Sequence, residues 1–268
     1  MKPLILTKLA PALLLLVFAQ ICVGQSETPS PTPEDKADKI VQQAIQAMGG
    51  QAYLSVQTSI GRGFFTEYSD GRSGVPARFV DYIAYPDRER TEFKGGGNRT
   101  IQTNDGDRGW LFDAAALTLK DQTDMQVAEF KAGLRTGLEN LLRGWWRKQG
   151  ATLTYVGRRE ATLGRRNEAV RLTYPDGFWI EYEFAALDGA PAKAIYKRKH
   201  KNLDTGDMEE VNEEDRFFKP LAVSGVTVPF VIDHFRNGVQ ERAMVPVRGR
   251  GPLPVLTVYC RCDRRYRA

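Results

Sequence analysis

Five Asx-Gly dipeptides, Asp70-Gly71, Asp105-Gly106, Asp176-Gly177, Asp188-Gly189 and Asn237-Gly238, punctuate a chain of 268 residues. Each is a strong two-residue hairpin signal, because both residues tolerate the positive φ that a tight turn between right-twisted strands demands. Between these dipeptides apolar residues recur with a period of two. Phe64, Phe65, Phe79, Val80, Tyr82, Ile83, Tyr85, Trp110, Leu111 and Phe112 form short runs over residues 52–112. Tyr85-Pro86-Asp87 bends or ends one of those strands, since proline cannot donate to a ladder. After residue 151, Leu153, Tyr155, Val170, Leu172 and Tyr174 alternate again. Phe178, Ile180, Tyr182 and Phe184 share one face of the next strand, and Trp179, Glu181 and Glu183 share the other. The two glutamates mark the second face as the wetter one. Segments 193–203, 208–221 and 226–236 complete the series.

Two segments change to the helical period. Ala37, Ile40, Val41, Ala44, Ile45 and Met48 lie on one face of a helix over residues 34–48. Thr32-Pro33-Glu34-Asp35 supplies an N-cap, a proline at the first position and acids in the first turn, and Gly49-Gly50 ends the helix. Val127, Phe130, Leu134, Leu138, Leu141 and Trp145 form a second stripe over 123–149, with Thr123 and Gln126 as a capping box and Gly150 as a stop. Gly133, Gly137 and Gly144 lie inside it, each costing roughly 1 kcal/mol relative to alanine. This helix is intrinsically weak and prone to break. Gly133 and Gly137 on one face would admit another backbone, either as plain packing or as part of a helix that moves.

Helix, strands, helix, strands, with turns at hairpin spacing, is an α+β pattern. The expected architecture is a large curved antiparallel sheet forming an unclosed β-barrel, with helices packed over its concave face. Two helices cannot cover both faces of one wide sheet, and the chain holds 13 Phe, 10 Tyr and 4 Trp. The aromatic surplus therefore admits either a ligand cavity inside the curl or an ordinary sheet-on-helix core. A cavity wall would be drawn from Phe64, Trp110, Phe112, Leu138, Leu141, Trp145, Phe178, Ile180, Tyr182, Phe184, Phe230 and Ile232.

The net charge of +5 sits at the ends. Lys2 and Lys8 stand without an acid in residues 1–24, and seven arginines face only Asp263 in residues 242–268. Residues 25–241 are left net negative, so no basic face for nucleic acid follows. Lys2 and Lys8 lead into the apolar run Leu9–Ala19, too short for a comfortable span, followed by Cys22-Val23-Gly24. Residues 1–24 read as a signal peptide cleaved near Gly24, placing the mature chain in the periplasm. An uncleaved anchor is the alternative, and lipidation at Cys22 is disfavoured by the bulky Ile21 before it. Residues 25–33 (QSETPSPTP) read as a disordered linker. Beyond it only Cys260 and Cys262 remain, too close together to staple the body.

No catalytic constellation emerges. His200 and His234 have no metal-ligand spacing with each other or with cysteine, and read as surface or half-buried strand residues. There is no nucleophile elbow and no phosphate loop; Gly95-Gly96-Gly97 reads as a turn. The run Glu209, Glu210, Glu213, Glu214 and Asp215 reads as a solvated strand or loop, and as the cross-strand partner of Lys197, Arg198, Lys199 and Lys201. No metal and no cofactor is implied.

Ala47-Met48-Gly49-Gly50 with Leu54, Val56, Ile60 and Gly63 resembles the start of bacterial outer-membrane lipoprotein-sorting proteins, the LolA/LolB-like group. Pro86-x-Arg88-x-Arg90-x-Glu92, Gly109-Trp110-Leu111-Phe112, Glu181-Tyr182-Glu183-Phe184 and Val223-x-Gly225-Val226-x-Val228-Pro229 resemble later strands of the same proteins, so that the likeness spans roughly residues 36–240. The resemblance implies a half-barrel domain over 34–241 whose hollow face holds the acyl chains of a lipoprotein or another lipid, with helices plugging its mouth. It implies an arginine holding the helical lid, for which no motif is found. It also implies a monomeric, non-enzymatic periplasmic carrier with transient contact to a membrane surface or envelope protein. The alternatives are an envelope interaction or stress-sensing module of the same fold without cargo, and, from the acids alone, a carboxylate hydrolase. Residues 242–268 depart from the pattern and read as a frameshifted or replaced tail, or as a genuine basic tail touching anionic lipid.

Overall fold

In a computed structural model of the chain, residues 32–69, 71–201, 205–246 and 257–259 are described. The expected signal peptide, nearly all of the linker and most of the basic tail lie outside them. None of the helices among the described residues is long and apolar enough to cross a membrane.

Helix α1 (Pro33–Ala47) opens on the capping box foreseen from the sequence. The Thr32 hydroxyl accepts from the Asp35 amide at 3.1 Å, and the Asp35 carboxylate accepts from the Thr32 amide at 3.1 Å. A single turn, α2 (Gln51–Leu54), follows. The strands then form one antiparallel sheet by two meanders. The first runs outward through β1 (Thr58–Ser69), β2 (Arg72–Ser73), β3 (Ala77–Ala84), β4 (Arg88–Gly95), β5 (Asn98–Asp105), β6 (Arg108–Asp113) and β7 (Thr118–Asp121). The second runs inward through β8 (Thr152–Thr162), β9 (Arg165–Thr173), β10 (Trp179–Ala185), β11 (Pro191–Lys201), β12 (Met208–Val223), β13 (Val226–Arg236) and β14 (Val239–Pro246). The spatial order is β7-β6-β5-β4-β3-β1-β14-β13-β12-β11-β10-β9-β8, with β2 and β15 (Thr257–Tyr259) also on β1. The Asx-Gly dipeptides at 105–106, 176–177, 188–189 and 237–238 fall at turns between paired strands, and Gly71 stands between the paired β1 and β2. Edges β7 and β8 do not pair, so the barrel is unclosed.

That order dictates the path of the middle segment: the chain leaves the sheet at one edge and must re-enter at the other. The expected single helix breaks at its glycines. Helix α3 (Asp124–Thr136) stops at Gly137, whose ψ of 145° is extended, and α4 (Leu138–Leu142) starts from the same residue. Gly144 takes φ 71°, and a 3-10 turn, Trp145–Gln149, leads into β8. The close backbone approach expected at Gly133 and Gly137 does not occur. A Cβ on Gly133 would meet nothing within 4 Å, and one on Gly137 would meet its own helix at Gly133 O, 3.2 Å away. The close approach is made by Gly49 instead. At φ +114°, a Cβ there would lie 2.6 Å from Gly225 O, so the end of α1 sits directly on the β12–β13 turn. The Thr227 amide donates to Met48 O at 2.9 Å across the same contact.

The core lies between α1, α4 and the second meander. Ala37, Ile40, Val41, Ala44, Ile45 and Met48 pack with Leu138, Leu141, Leu142 and Trp146 against Leu153, Val170, Leu172, Ile180, Tyr182, Phe184 and Tyr196. The other face of β10 is not the wet one. Glu181 and Glu183 are buried, Glu181 pairing with Arg159 and Arg171 at 2.9 and 3.1 Å, while the Asn167 side-chain amide donates to Glu183 at 2.8 Å. Long cationic side chains lie along the sheet and cover the carboxylates, which the alternation of residue types does not reveal. The composition change at residue 242 does not coincide with the end of the sheet either. Arg242, Ala243 and Met244 lie inside β14, the strand that joins the two meanders by pairing with both β13 and β1.

Candidate functional site

Antiparallel register assigns every strand residue to a face. Tyr182 lies opposite Ala194, Ala194 opposite Asp215, Asp215 opposite His234, His234 opposite Arg242, and Arg242 opposite Glu67. In the first meander the same inner face carries Gly61, Asp81, Thr91, Gln102 and Leu111. Of the twelve expected wall residues, Leu138, Leu141, Ile180, Tyr182 and Phe184 come together beneath the helices, with Ile180 and Tyr182 0% exposed. Phe178 packs against their margin. Trp145 stacks on Tyr85 with ring centroids 5.9 Å apart. Phe230 and Ile232 are half-buried on inner-face positions of β13. Phe64, Trp110 and Phe112 are one residue out of phase and lie on the outer face. Their neighbours Phe65 and Leu111 point inward, Phe65 meeting Phe93 edge-on at 5.6 Å. In runs such as Phe64-Phe65 and Trp110-Leu111-Phe112 every residue is apolar, so only pairing fixes the face.

A cleft of about 1000 Å³ opens between α3 and the second meander. Leu134, Trp145, Phe178 and Trp179 supply its apolar surface; Lys131, Arg135, Lys197, Arg198, Lys199, Asp87, Glu129, Asp176 and Glu210 supply its charge. Helix α3 buries no large apolar side chain; Val127, Phe130 and Leu134 are half-buried. It is held by polar contacts at both ends of the gap. Lys131 reaches Asp107 in the β5–β6 turn at 2.5 Å. Glu129 pairs with Arg198 on β11, and Arg135 pairs with Asp176 in the β9–β10 turn at 2.8 Å while stacking over Tyr174. The Tyr182 hydroxyl donates to Thr136 O at 3.0 Å, and Asn140 donates to Arg135 O at 2.9 Å. Helix α4 is anchored differently. The Arg143 guanidinium donates to Val56 O at 2.9 Å and Tyr53 O at 3.2 Å, and lies over the rings of Tyr53, Tyr85 and Trp145.

The inner face is not uniformly apolar. On β3 and β4, Thr91 donates to Asp81 at 2.9 Å and sits 3.2 Å from Glu89. Burial raises the Asp81 carboxyl well above its ordinary range, and the neighbouring Glu89 raises it further; burial raises Glu89 as well. On β11 to β14 a second polar cluster surrounds Glu213, which is 1% exposed. His200 is half-buried on its strand, as expected, but His234 is buried, and both touch Glu213: His200 Nε2 at 2.6 Å and His234 Nε2 at 2.7 Å. His234 Nδ1 meets Asp215 at 2.7 Å, and Arg236 meets Glu213 at 3.3 Å. Burial works to raise the Glu213 carboxyl, but His234, Arg236 and His200 together hold it at about 2. The acidic run is therefore not uniformly solvated. Lys197 and Glu210 do pair across strands at 2.8 Å, as expected, while Glu213 turns inward. The period-two pairs Glu213-x-Asp215 and His234-x-Arg236 carried the signal, but only the β12–β13 register sets them face to face.

No family model matches the chain, and no curated protein matches it in sequence. Solved structures match its fold. A DUF1329 family protein from Desulfovibrio piger ATCC 29098 superposes with a TM-score of 0.57 at 10% identity, over 88% of this chain and 97% of that one. A domain assigned to the outer membrane lipoprotein-sorting proteins of Vibrio parahaemolyticus gives 0.51 at 10% identity, covering 84% and 93%. A LolA superfamily protein from Nitrosomonas europaea gives 0.50 at 11%, covering 87% and 97%. The chain has a LolA-like fold.

Proposed function

We propose that this chain is a lipid or lipoprotein carrier of the cell envelope, exported to the periplasm, that shelters acyl chains between α3 and the inner face of its half-barrel. The observation that carries the reading is the contrast between α3 and the rest of the core. Helices α1 and α4 are seated by buried apolar side chains, whereas α3 buries no large apolar side chain and is held by ion pairs and hydrogen bonds beside a cleft of about 1000 Å³ lined in part by Leu134, Trp145, Phe178 and Trp179. Such a volume is at the upper end of ordinary ligand sites, roughly 300–1,000 Å³. A lining that combines charged side chains with aromatic rings suits an amphipathic ligand. Each methylene buried there contributes roughly 0.8 kcal/mol. Leu138, Leu141, Trp145, Phe178, Ile180 and Tyr182 would line the path as α3 lifts, with Phe184, Phe230 and Ile232 beyond them.

The complete burial of Ile180 and Tyr182 favours a second reading, an envelope interaction module whose interior is solid. Titration of the purified protein with a fluorescent fatty-acyl probe separates the two. Saturable binding, weakened at least ten-fold in Leu134→Asp and Phe178→Asp variants that keep the wild-type circular dichroism, is expected of the carrier. Wild-type protein that shows no saturable binding refutes it.

A further inference from the structure

The geometry points to a binding site for a divalent transition-metal ion of the zinc class on the inner face, formed by His234, Glu213 and Glu241. His234 Nε2 lies 2.7 Å from Glu213 Oε2 and 4.0 Å from Glu241 Oε2, and all three atoms fall within 4.8 Å of one another. Tetrahedral bonds of roughly 2.0–2.2 Å place ligand atoms roughly 3.4 Å apart, between those two separations. His234 Nε2 and Glu213 Oε2 are both buried and, apart from their contact with each other, have no hydrogen-bond partner. Their side chains are only 8% and 2% exposed. A metal ion bound here would displace the proton that lies between this imidazole and carboxylate and take its place between the two atoms.

Every other polar atom of the three side chains near this point is already engaged in the manner of an outer coordination shell. Asp215 Oδ1 sits on His234 Nδ1 at 2.7 Å, which fixes the imidazole with Nε2 free for a metal. Arg236 takes Glu213 Oε1 at 3.3 Å and Glu241 Oε1 at 2.7 Å, and His200 takes Glu213 Oε1 at 2.6 Å. The Oε2 atoms of both carboxylates are the ones turned toward His234 Nε2. With His200 and His234 neutral, as metal ligation requires of His234, the three carboxylates Glu213, Asp215 and Glu241 outnumber the guanidiniums of Arg236 and Arg242, which suits a dication. One nitrogen and two carboxylate oxygens form a borderline donor set that fits zinc, cobalt or manganese better than calcium. Three protein ligands leave one position for water or an anionic group. The site joins β12, β13 and β14 and does not depend on what the cleft carries.

Isothermal titration with Zn²⁺ tests it, with Co²⁺ visible absorption as a second readout. The full chain should bind one equivalent of Zn²⁺, and Co²⁺ should develop d–d bands. Glu241→Gln and His234→Gln should weaken binding at least ten-fold, and Asp215→Asn by roughly ten- to a hundred-fold. A Cys260→Ser/Cys262→Ser variant should bind as the wild type does. Glu241 is the most exposed of the three ligands, so Glu241→Gln keeps the test decisive should His234→Gln fail to fold. A wild-type chain that takes up no Zn²⁺ at millimolar concentration overturns the site. So does binding that is unchanged in Glu241→Gln or abolished by the cysteine replacements.

Discussion

Asp81 shows how a single residue sets a pH dependence. Its carboxyl is buried beside Glu89 with one threonine hydroxyl between them, and burial raises its pKa well above the ordinary range. The folded state therefore holds the proton more tightly than the unfolded one. The stability this contributes is fully present below the ordinary carboxylate pKa and is lost as pH rises through the folded value. Asp81→Asn removes that loss. The variant should melt at a higher temperature than the wild type at pH 7, and the difference should vanish as the pH falls below the ordinary carboxylate range. Thermal melts across that range check it; equal melting temperatures at pH 7 would refute the assignment. Nothing in the sequence around Asp81 announces a buried acid, because Phe79-Val80-Asp81-Tyr82-Ile83 reads equally well with either parity inward. The same ambiguity misplaced Phe64, Trp110 and Phe112. By contrast, the alternation at Ile180, Tyr182 and Phe184 was legible, because Glu181 and Glu183 separate the apolar residues there.

Among the elements, α3 differs from its neighbours in what holds it. Exposed ion pairs are each worth about 0–1 kcal/mol and weaken with salt. Losing the Glu129–Arg198 pair in a Glu129→Ala variant should therefore speed amide exchange over residues 124–136 by up to about five-fold, since 1.4 kcal/mol corresponds to ten-fold. The global melting temperature should change little, because the core lies under α1 and α4. Exchange mass spectrometry resolves this segment, and unchanged exchange in both the variant and high salt would show that α3 is seated by something else. The interruption of this helix was legible in the sequence: three glycines in one stripe cost more than the stripe returns. Where it breaks was not, because Gly133 tolerates helical geometry while Gly137 is extended and Gly144 left-handed.

At the scale of the whole molecule, stability is distributed unevenly. The helix-covered core lies on the second meander, whereas the main helix contact of strands β5 to β7 is that of β6 with the lightly packed α3. Amides of β9, β10 and α1 should exchange slowest and those of β5, β6 and β7 faster, in the order that local burial dictates. Equal or greater protection on β5 to β7 would contradict this division. Hairpin dipeptides and helix caps made the order of elements legible. They do not encode which strands adjoin at long range, and the pairing of β1 with β14 is what joins the two meanders into one sheet. The unpaired edges have a mechanical consequence. In a closed barrel the strand count and stagger fix the bore, so widening it means breaking ladder bonds. Here β7 and β8 are free of one another, and a change of curvature distributes a small bend over every strand while each ladder stays intact. The enclosed girth is thereby a compliant quantity, adjusted by flexing, as in a split ring that opens without being cut.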